Sequence, residues 1–326
     1  MRTRKDRRTT TALVGGASAL MLLAGCAASS GTRAPSVGPT AVPSTALTSP
    51  TPKPSSPPAP TPTPEPTIPP ADLVYLAMGD SNVYGSPADC GTPCVTYPHL
   101  LADRITADTG KSVTLLDGSQ HNRLTAPALL GEIQGDYWGN LPGYPVRTGG
   151  IGPRAAIAAA DIITITLAAN QIPWYQNPDS CGKVYDAKCI AAIEQPYIAD
   201  IDAILGEINT SRAGRPTAVR ITTFYNDLLK GPGYDPTWFY DAPTIKQATL
   251  TARTFLDRWN ADLCSTAEKH DAVCVDLYHS VNGPKVDKPL PAGWYSKDFG
   301  DLNQGGHTQF AEEIAKVGFK PLWTNP

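Results

Sequence analysis

Ile162-Ile163-Thr164-Ile165-Thr166-Leu167 restricts the fold more than any other stretch of the chain. Six uncharged residues rich in β-branched side chains read as a short strand buried on both faces. A strand covered on both faces belongs to a parallel sheet flanked by helices. Similar runs recur at residues 73–78, 112–116, 218–224 and 272–277, and each reads as a further strand. Residues 97–108 (stopped by Gly110), 190–208 and 245–268 have helical spacing, and 308–316 closes the chain as a helix. Strands alternating with helices predict an α/β fold with a five-stranded parallel sheet. In such sheets ligands bind beyond the carboxyl ends of the strands, which makes the residues after each strand the place to look for chemistry.

The sheet occupies only part of the 326 residues. Fourteen of the 33 prolines fall between Pro35 and Pro70. With little besides Pro, Thr, Ser and Ala there, that stretch cannot bury enough apolar surface to offset its ordering entropy. It reads as an extended spacer, 26–70, ahead of a domain spanning 71–326. Before it, five bases crowd into residues 1–8 and an uncharged run follows, ending Leu23-Ala24-Gly25-Cys26. The apolar part is too short to span a bilayer. A basic start and a short apolar run predict a secretory signal over 1–25. The Cys26 ending resembles a bacterial lipobox, which implies cleavage before Cys26, acylation of its thiol, and an exported protein anchored on the outer face of the membrane.

Without residues 1–25 the chain carries 22 bases against 29 acids. With no basic cluster left, nucleic acid is excluded as a partner. Six cysteines remain, and in an oxidising compartment an even number implies disulfides. Sequence alone allows fifteen connectivities; proximity suggests Cys90–Cys94, Cys181–Cys189 and Cys264–Cys274. No CxxC pair with a suitable histidine argues for a metal, and no phosphate loop or dinucleotide fingerprint argues for a cofactor.

Chemistry-bearing residues gather at three strand ends. The first strand is followed by Gly79-Asp80-Ser81-Asn82, the second by Asp117-Gly118-Ser119, the third by Ala168-Ala169-Asn170-Gln171. Together they suit acyl transfer: Ser81 as nucleophile, with the Ser81 and Gly118 amides and the Asn170 side chain as oxyanion donors. Over these blocks the chain resembles the SGNH, or GDSL-type, hydrolases. Residues 75–81 resemble that family's first block, 115–118 its second and 162–171 its third, with Ala168 and Gln171 replacing the usual Gly and Asp. The resemblance implies a three-layer, flavodoxin-like sandwich and hydrolysis of an acyl or acetyl ester.

The last block departs from the family's Asp-x-x-His. In Asp298-Phe299-Gly300-Asp301-Leu302-Asn303-Gln304-Gly305-Gly306-His307, matching Gly306-His307 to the Gly-His that opens the final helix puts Asp298 on the family's Asp. Asp301 then falls on its catalytic His. A carboxylate with a pKa near 4 is a poorer base for serine than an imidazole near 6.5. Three alternatives stay open. His307 serves as base; another imidazole, His279 or His121, reaches in; or the protein is a catalytically impaired ligand-binding lipoprotein of the cell envelope. Tyr137, Trp138, Tyr144, Trp174 and Tyr175 are candidates to line an acyl or sugar pocket, and Asn226 and Asp227 to shape the cleft. Nothing in these loops specifies the substrate.

Overall fold

All five expected strands form: β1 (Leu73–Gly79), β2 (Val113–Ser119), β3 (Ile162–Thr166), β4 (Ala218–Thr222) and β5 (Val273–Val275). The structure, a computed structural model, describes residues 73–172, 186–226, 245–291, 293–295 and 301–323. The strands lie in the order β2-β1-β3-β4-β5, and every neighbouring pair is parallel. The helices described are α1 (Ser81–Tyr84), α2 (Pro87–Cys90), α3 (Tyr97–Thr109), α4 (Ala126–Gly135), α5 (Pro153–Ala159), α6 (Ala187–Arg212), α7 (Ile245–Lys269), α8 (Leu277–Asn282) and α9 (Gln304–Lys316).

Side-chain alternation along β1 sorts the layers. Leu76 and Met78 point to one face, where they join Leu129 of α4, Ile157 of α5, Ile204 of α6 and Trp259 of α7. Tyr75 and Ala77 point to the other and join Leu101 and Ile105 of α3 with Phe310 and Ile314 of α9. The result is the three-layer α/β/α sandwich the sequence implies. From β1 the chain steps outward to β2 and then crosses back to β3, so the order reverses between β1 and its two neighbours. Such a reversal opens a crevice at the carboxyl ends of the strands, and Ser81 follows β1 directly into it. None of the described helices is long and apolar enough to cross a membrane.

Two helices begin earlier than their spacing suggests, each because of a cap. The Asp186 side chain accepts from the N–H groups of Lys188 and Cys189 and starts α6 three residues before Ile190. Asn303 accepts from Gly305 and Gly306 and starts α9 at Gln304 rather than Thr308. The glycine pair that hides this start is needed there: a Cβ on Gly305 or Gly306 would run into the carbonyl oxygens of Gly293 and Trp294.

Disulfides join Cys90 to Cys94 and Cys264 to Cys274, as proximity suggests. Cys189 is disulfide-bonded too, while its expected partner Cys181 lies outside the described residues.

Candidate active site

The nucleophile sits on a sharp strand-to-helix turn. Asp80 follows β1 with its N–H on the Thr166 carbonyl (3.2 Å), and its own carbonyl accepts from Val83 (3.0 Å) and Tyr84 (3.2 Å). The Asp80 carboxylate caps the same turn by accepting from Asn82 N–H at 3.1 Å. Gly79 is required at the bend, since a Cβ there would lie 2.5 Å from the Thr166 carbonyl oxygen. The turn closes at Gly85, whose φ of 61° is left-handed. This arrangement buries Asp80 and Asn82 but leaves Ser81 half-exposed at the first helical position. There its N–H is one of the groups that a helix start leaves without an intrahelical acceptor. No described residue hydrogen-bonds the Ser81 hydroxyl.

Burial pushes the Asp80 carboxyl up to about 6, against the pull of the Asn82 and Ala168 amides, and the charge of Asp301 adds to the rise. Asp301 therefore lies within electrostatic reach of the nucleophile turn. It is half-buried, next to Leu302, which bridges to Tyr295, and Asn303, which caps α9. Asp298 lies outside the described residues.

Asn170 follows β3 in a turn held by the Gln171 and Ile172 N–H groups on the Ala168 carbonyl. Its side-chain Nδ2 donates to the Leu124 carbonyl at 3.0 Å. Two residues further along the same loop, Ala126 N–H donates to Gln171 Oε1 at 2.5 Å. The β3 exit is thus stapled at two points to the chain entering α4. One of the two Nδ2 hydrogens is used in this way, and no described residue accepts the other. Gln171 makes the second staple; nothing in its local sequence signals that partner.

Gly118 does not have the place the sequence gives it. It lies inside β2, in register with Met78 of β1. The N–H and carbonyl of Asp117 face outward to Arg147, while Gln120 N–H, two residues beyond Gly118, bonds to the Gly79 carbonyl. Strand alternation therefore turns the Gly118 N–H into the ladder with β1, where it is not available to an oxyanion. The space that glycine frees is filled by protein: a Cβ on Gly118 would lie 2.7 Å from the Trp138 ring. That indole is fixed by its Nε1–H on the Ile151 carbonyl at 2.8 Å.

The histidines go to three different places. His307 is fully buried. Its Nδ1 accepts the Tyr97 backbone N–H at 3.2 Å, which puts the ring proton on Nε2, and Nε2 has no hydrogen-bond partner among the described residues. Burial pushes His307 down to about 4, and the Arg147 charge adds to the fall. With Nδ1 occupied and the ring sealed behind Gly85, His307 offers no lone pair to the Ser81 hydroxyl. His279 follows β5, two strands beyond β1's neighbour β3, roughly 14 Å across the sheet from β1. It is exposed and paired with Asp276 at 2.7 Å. His121 stacks on Tyr144 with ring centroids 4.6 Å apart and meets the edge of Tyr84 at 5.9 Å.

Tyr84, His121 and Tyr144 form an aromatic wall beside the nucleophile turn, and Arg147 braces it. Its guanidinium lies 4.3 Å from the Tyr84 ring centre, donates to the Tyr84 carbonyl at 2.8 Å and pairs with the buried Asp117 at 2.9 Å. Sequence reading passes over Arg147 because its partners lie 30 and 63 residues away. Of the other aromatic candidates, Trp138 packs on Gly118 and Tyr137 is exposed; Trp174 and Tyr175 lie outside the described residues. Asn226 is buried, its N–H and carbonyl clamped by the Asn282 side chain at 2.7 and 3.0 Å. Asp227 lies outside the described residues.

One group of His, Cys, Asp or Glu among the described residues is close enough to hold a metal: Cys90, Cys94 and His307, whose ligand atoms all lie within 4.8 Å of one another. The two sulfurs are bonded to each other.

No protein-family model matches the chain, and no curated protein matches it. Among solved structures, a lipase from a goat rumen metagenome is similar over 77% of this chain and 100% of its own, with 17% identity and a TM-score of 0.55. An acetylxylan esterase from Geobacillus stearothermophilus is similar over 77% and 96%, with 15% identity and a TM-score of 0.47. The first of these likenesses supports the three-layer α/β/α fold described above.

Proposed function

We propose that the protein is an ester hydrolase with Ser81 as nucleophile. The observation that carries this reading is the Asp80-capped elbow, which holds Ser81 half-exposed at the switch point of the sheet with Asn170 fixed at the next strand end. The family resemblance of those blocks supports it, and so does the likeness of the fold to a lipase. In the first step Ser81 Oγ attacks the acyl carbonyl and its proton passes to the Asp301 carboxylate. Ser81 N–H and the second Nδ2 hydrogen of Asn170 stabilise the oxyanion. The alcohol leaves with the proton from Asp301, and water then releases the acid from Ser81 by the same route in reverse. The substrate class is an acyl or acetyl ester on a small molecule or glycan. The head of the sequence and the disulfides support an exported protein tied to the membrane through Cys26.

A second reading, ligand binding without turnover, draws support from a specific feature: the position that the resemblance gives to the catalytic His is held by a carboxylate, Asp301, and His307 is sealed away. Ester hydrolysis by wild type, Ser81→Ala, Asp301→Asn and Asp301→His separates the two. Turnover lost in both Ser81→Ala and Asp301→Asn is the result expected of the enzyme. A slow wild type that gains strongly from Asp301→His alone is the result expected of the binder. Labelling of Ser81 by a fluorophosphonate adds a readout that does not require turnover, and hydrolysis unchanged by Ser81→Ala would overturn the assignment of the nucleophile.

A further inference from the structure

His307 has one hydrogen that the fold does not use. The Tyr97 N–H on Nδ1 fixes the ring tautomer and places the proton on Nε2, which is buried without a partner among the described residues. A buried donor left in this state is normally worth explaining by a state of the protein in which it is satisfied. One nitrogen of the His307 ring lies within 4.8 Å of both Cys90 Sγ and Cys94 Sγ, and Nε2 shares the space over Gly85 with Cys94 Sγ. In the disulfide those sulfurs are weak acceptors; as a thiolate either one is a strong, charged acceptor.

We infer that Cys90–Cys94 is a thiol–disulfide exchange site whose reduced form is stabilised by the His307 Nε2–H. The co-reactant is a dithiol. Its thiolate attacks Cys94 Sγ, since Cys94 is the less buried cysteine of the two and follows the exposed residues Gly91, Thr92 and Pro93. The S–S bond breaks and its electron pair leaves on Cys90 Sγ, which is buried and takes the hydrogen bond from Nε2. The second thiol of the reductant then attacks the mixed disulfide, releasing Cys94 and leaving an oxidised cyclic disulfide. Two electrons pass from the dithiol to the cysteine pair; of the dithiol's two protons one ends on Cys94 and the other is released to solvent, leaving Cys90 as the thiolate.

The site is built into the nucleophile turn. The space over Gly85, the residue that closes the turn on the Ser81 carbonyl, is bounded by His307 Nε2 and Cys94 Sγ, which would lie 2.9 and 3.1 Å from a Cβ placed there. Opening the disulfide frees the segment between Gly85 and α3, so the state of the sulfurs reaches the turn that carries Ser81. This coupling concerns the backbone and holds whether or not Ser81 turns over an ester.

The test equilibrates full-length protein in dithiothreitol buffers of graded reduced-to-oxidised ratio, alkylates free thiols and quantifies each cysteine by mass spectrometry. His307→Asn keeps an acceptor for Tyr97 N–H but has no group in the place of Nε2–H. It is expected to raise the ratio needed to half-reduce Cys90–Cys94 about tenfold, the scale of one hydrogen bond to a charged group, and to leave Cys264–Cys274 where it was. An unchanged Cys90–Cys94 midpoint, or an equal shift in both disulfides, overturns the role of His307. Independently of that variant, hydrogen exchange of residues 81–86 is expected to speed up when wild type is reduced, and in Cys90→Ser/Cys94→Ser without reductant. Equal exchange in all states overturns the coupling to the turn.

Discussion

Asn170 gives one side-chain hydrogen to the carbonyl of Leu124, 46 residues earlier in the chain, at 3.0 Å. The bond aims the amide as well as anchoring it, because the second hydrogen of a planar NH2 group cannot turn away once the first is held. The oxyanion donor on this reading is therefore already oriented before any substrate arrives, which is the condition under which such donors are effective.

Asn170→Ala is expected to lower kcat about a hundredfold or more, the usual effect of losing one oxyanion donor. The same change removes the anchor and is expected to lower stability by about 1 kcal/mol. Steady-state kinetics with a chromogenic ester and urea unfolding measure the two effects separately. A stability loss with unchanged kcat would leave Asn170 a purely structural residue.

Gly118→Ala is expected to destabilise the protein by about 1–3 kcal/mol, since the new methyl has to displace the Trp138 ring. Combining it with Trp138→Leu relieves the clash, so the double variant is expected to lose less than the two single losses added. A double-mutant cycle in urea reads this coupling. Additive losses would mean that the indole yields freely.

Asp80 and His307 are expected to impose opposite pH dependences over nearly the same range. Asp80 is raised by burial from 3.8 to about 6, so between those values the folded state holds a proton that the unfolded state has released. Its contribution to stability falls as pH rises through that window. His307 is lowered by burial from 6.5 to about 4, so the unfolded state holds the extra proton and stability rises with pH. Each effect is worth on the order of 3 kcal/mol, and in wild type they largely cancel. Relative to wild type, Asp80→Asn is expected to show stability increasing with pH between about 4 and 6, and His307→Asn to show it decreasing. Unfolding free energies at intervals of half a pH unit provide the measurement; parallel profiles for all three proteins would contradict it.

Arg147→Leu is expected to destabilise by about 3 kcal/mol, because Asp117 keeps a buried carboxylate without its counter-charge. Asp117→Asn in the same background is expected to recover part of that loss. Thermal unfolding of the three variants tests the pairing, and the absence of any recovery would argue that Arg147 acts only through Tyr84.

The sheet was legible because its information is local. Residues 162–167 cannot be helix and cannot face water, and the same reasoning identifies the other four strands. Ser81 and Asn170 were legible for a related reason: each ends a strand, and the sheet itself carries strand ends to one crevice. What stayed hidden depends on partners distant in sequence. Gly118 looks like a glycine that admits a ligand until Trp138, twenty residues later, is seen to fill its space. His307 looks like an available base until Tyr97, across the packing of α3 on α9, takes its lone pair. The start of α9 was masked by Gly305 and Gly306, which weaken helical propensity yet are the residues that fit against the Gly293 and Trp294 carbonyls.

The pairing of Asp117 with Arg147 has an effect at the scale of many molecules. β2 is an outer strand, and such a strand normally presents a row of unused N–H and carbonyl groups on which another chain can build. At Asp117 both groups are already taken by the Arg147 backbone, at 3.3 and 2.8 Å, and the Arg147 guanidinium rests against the same strand. A neighbouring strand would have to break two hydrogen bonds and an ion pair before it could add to the sheet here. The segment that braces the cleft thus also blunts the sheet's edge against aggregation.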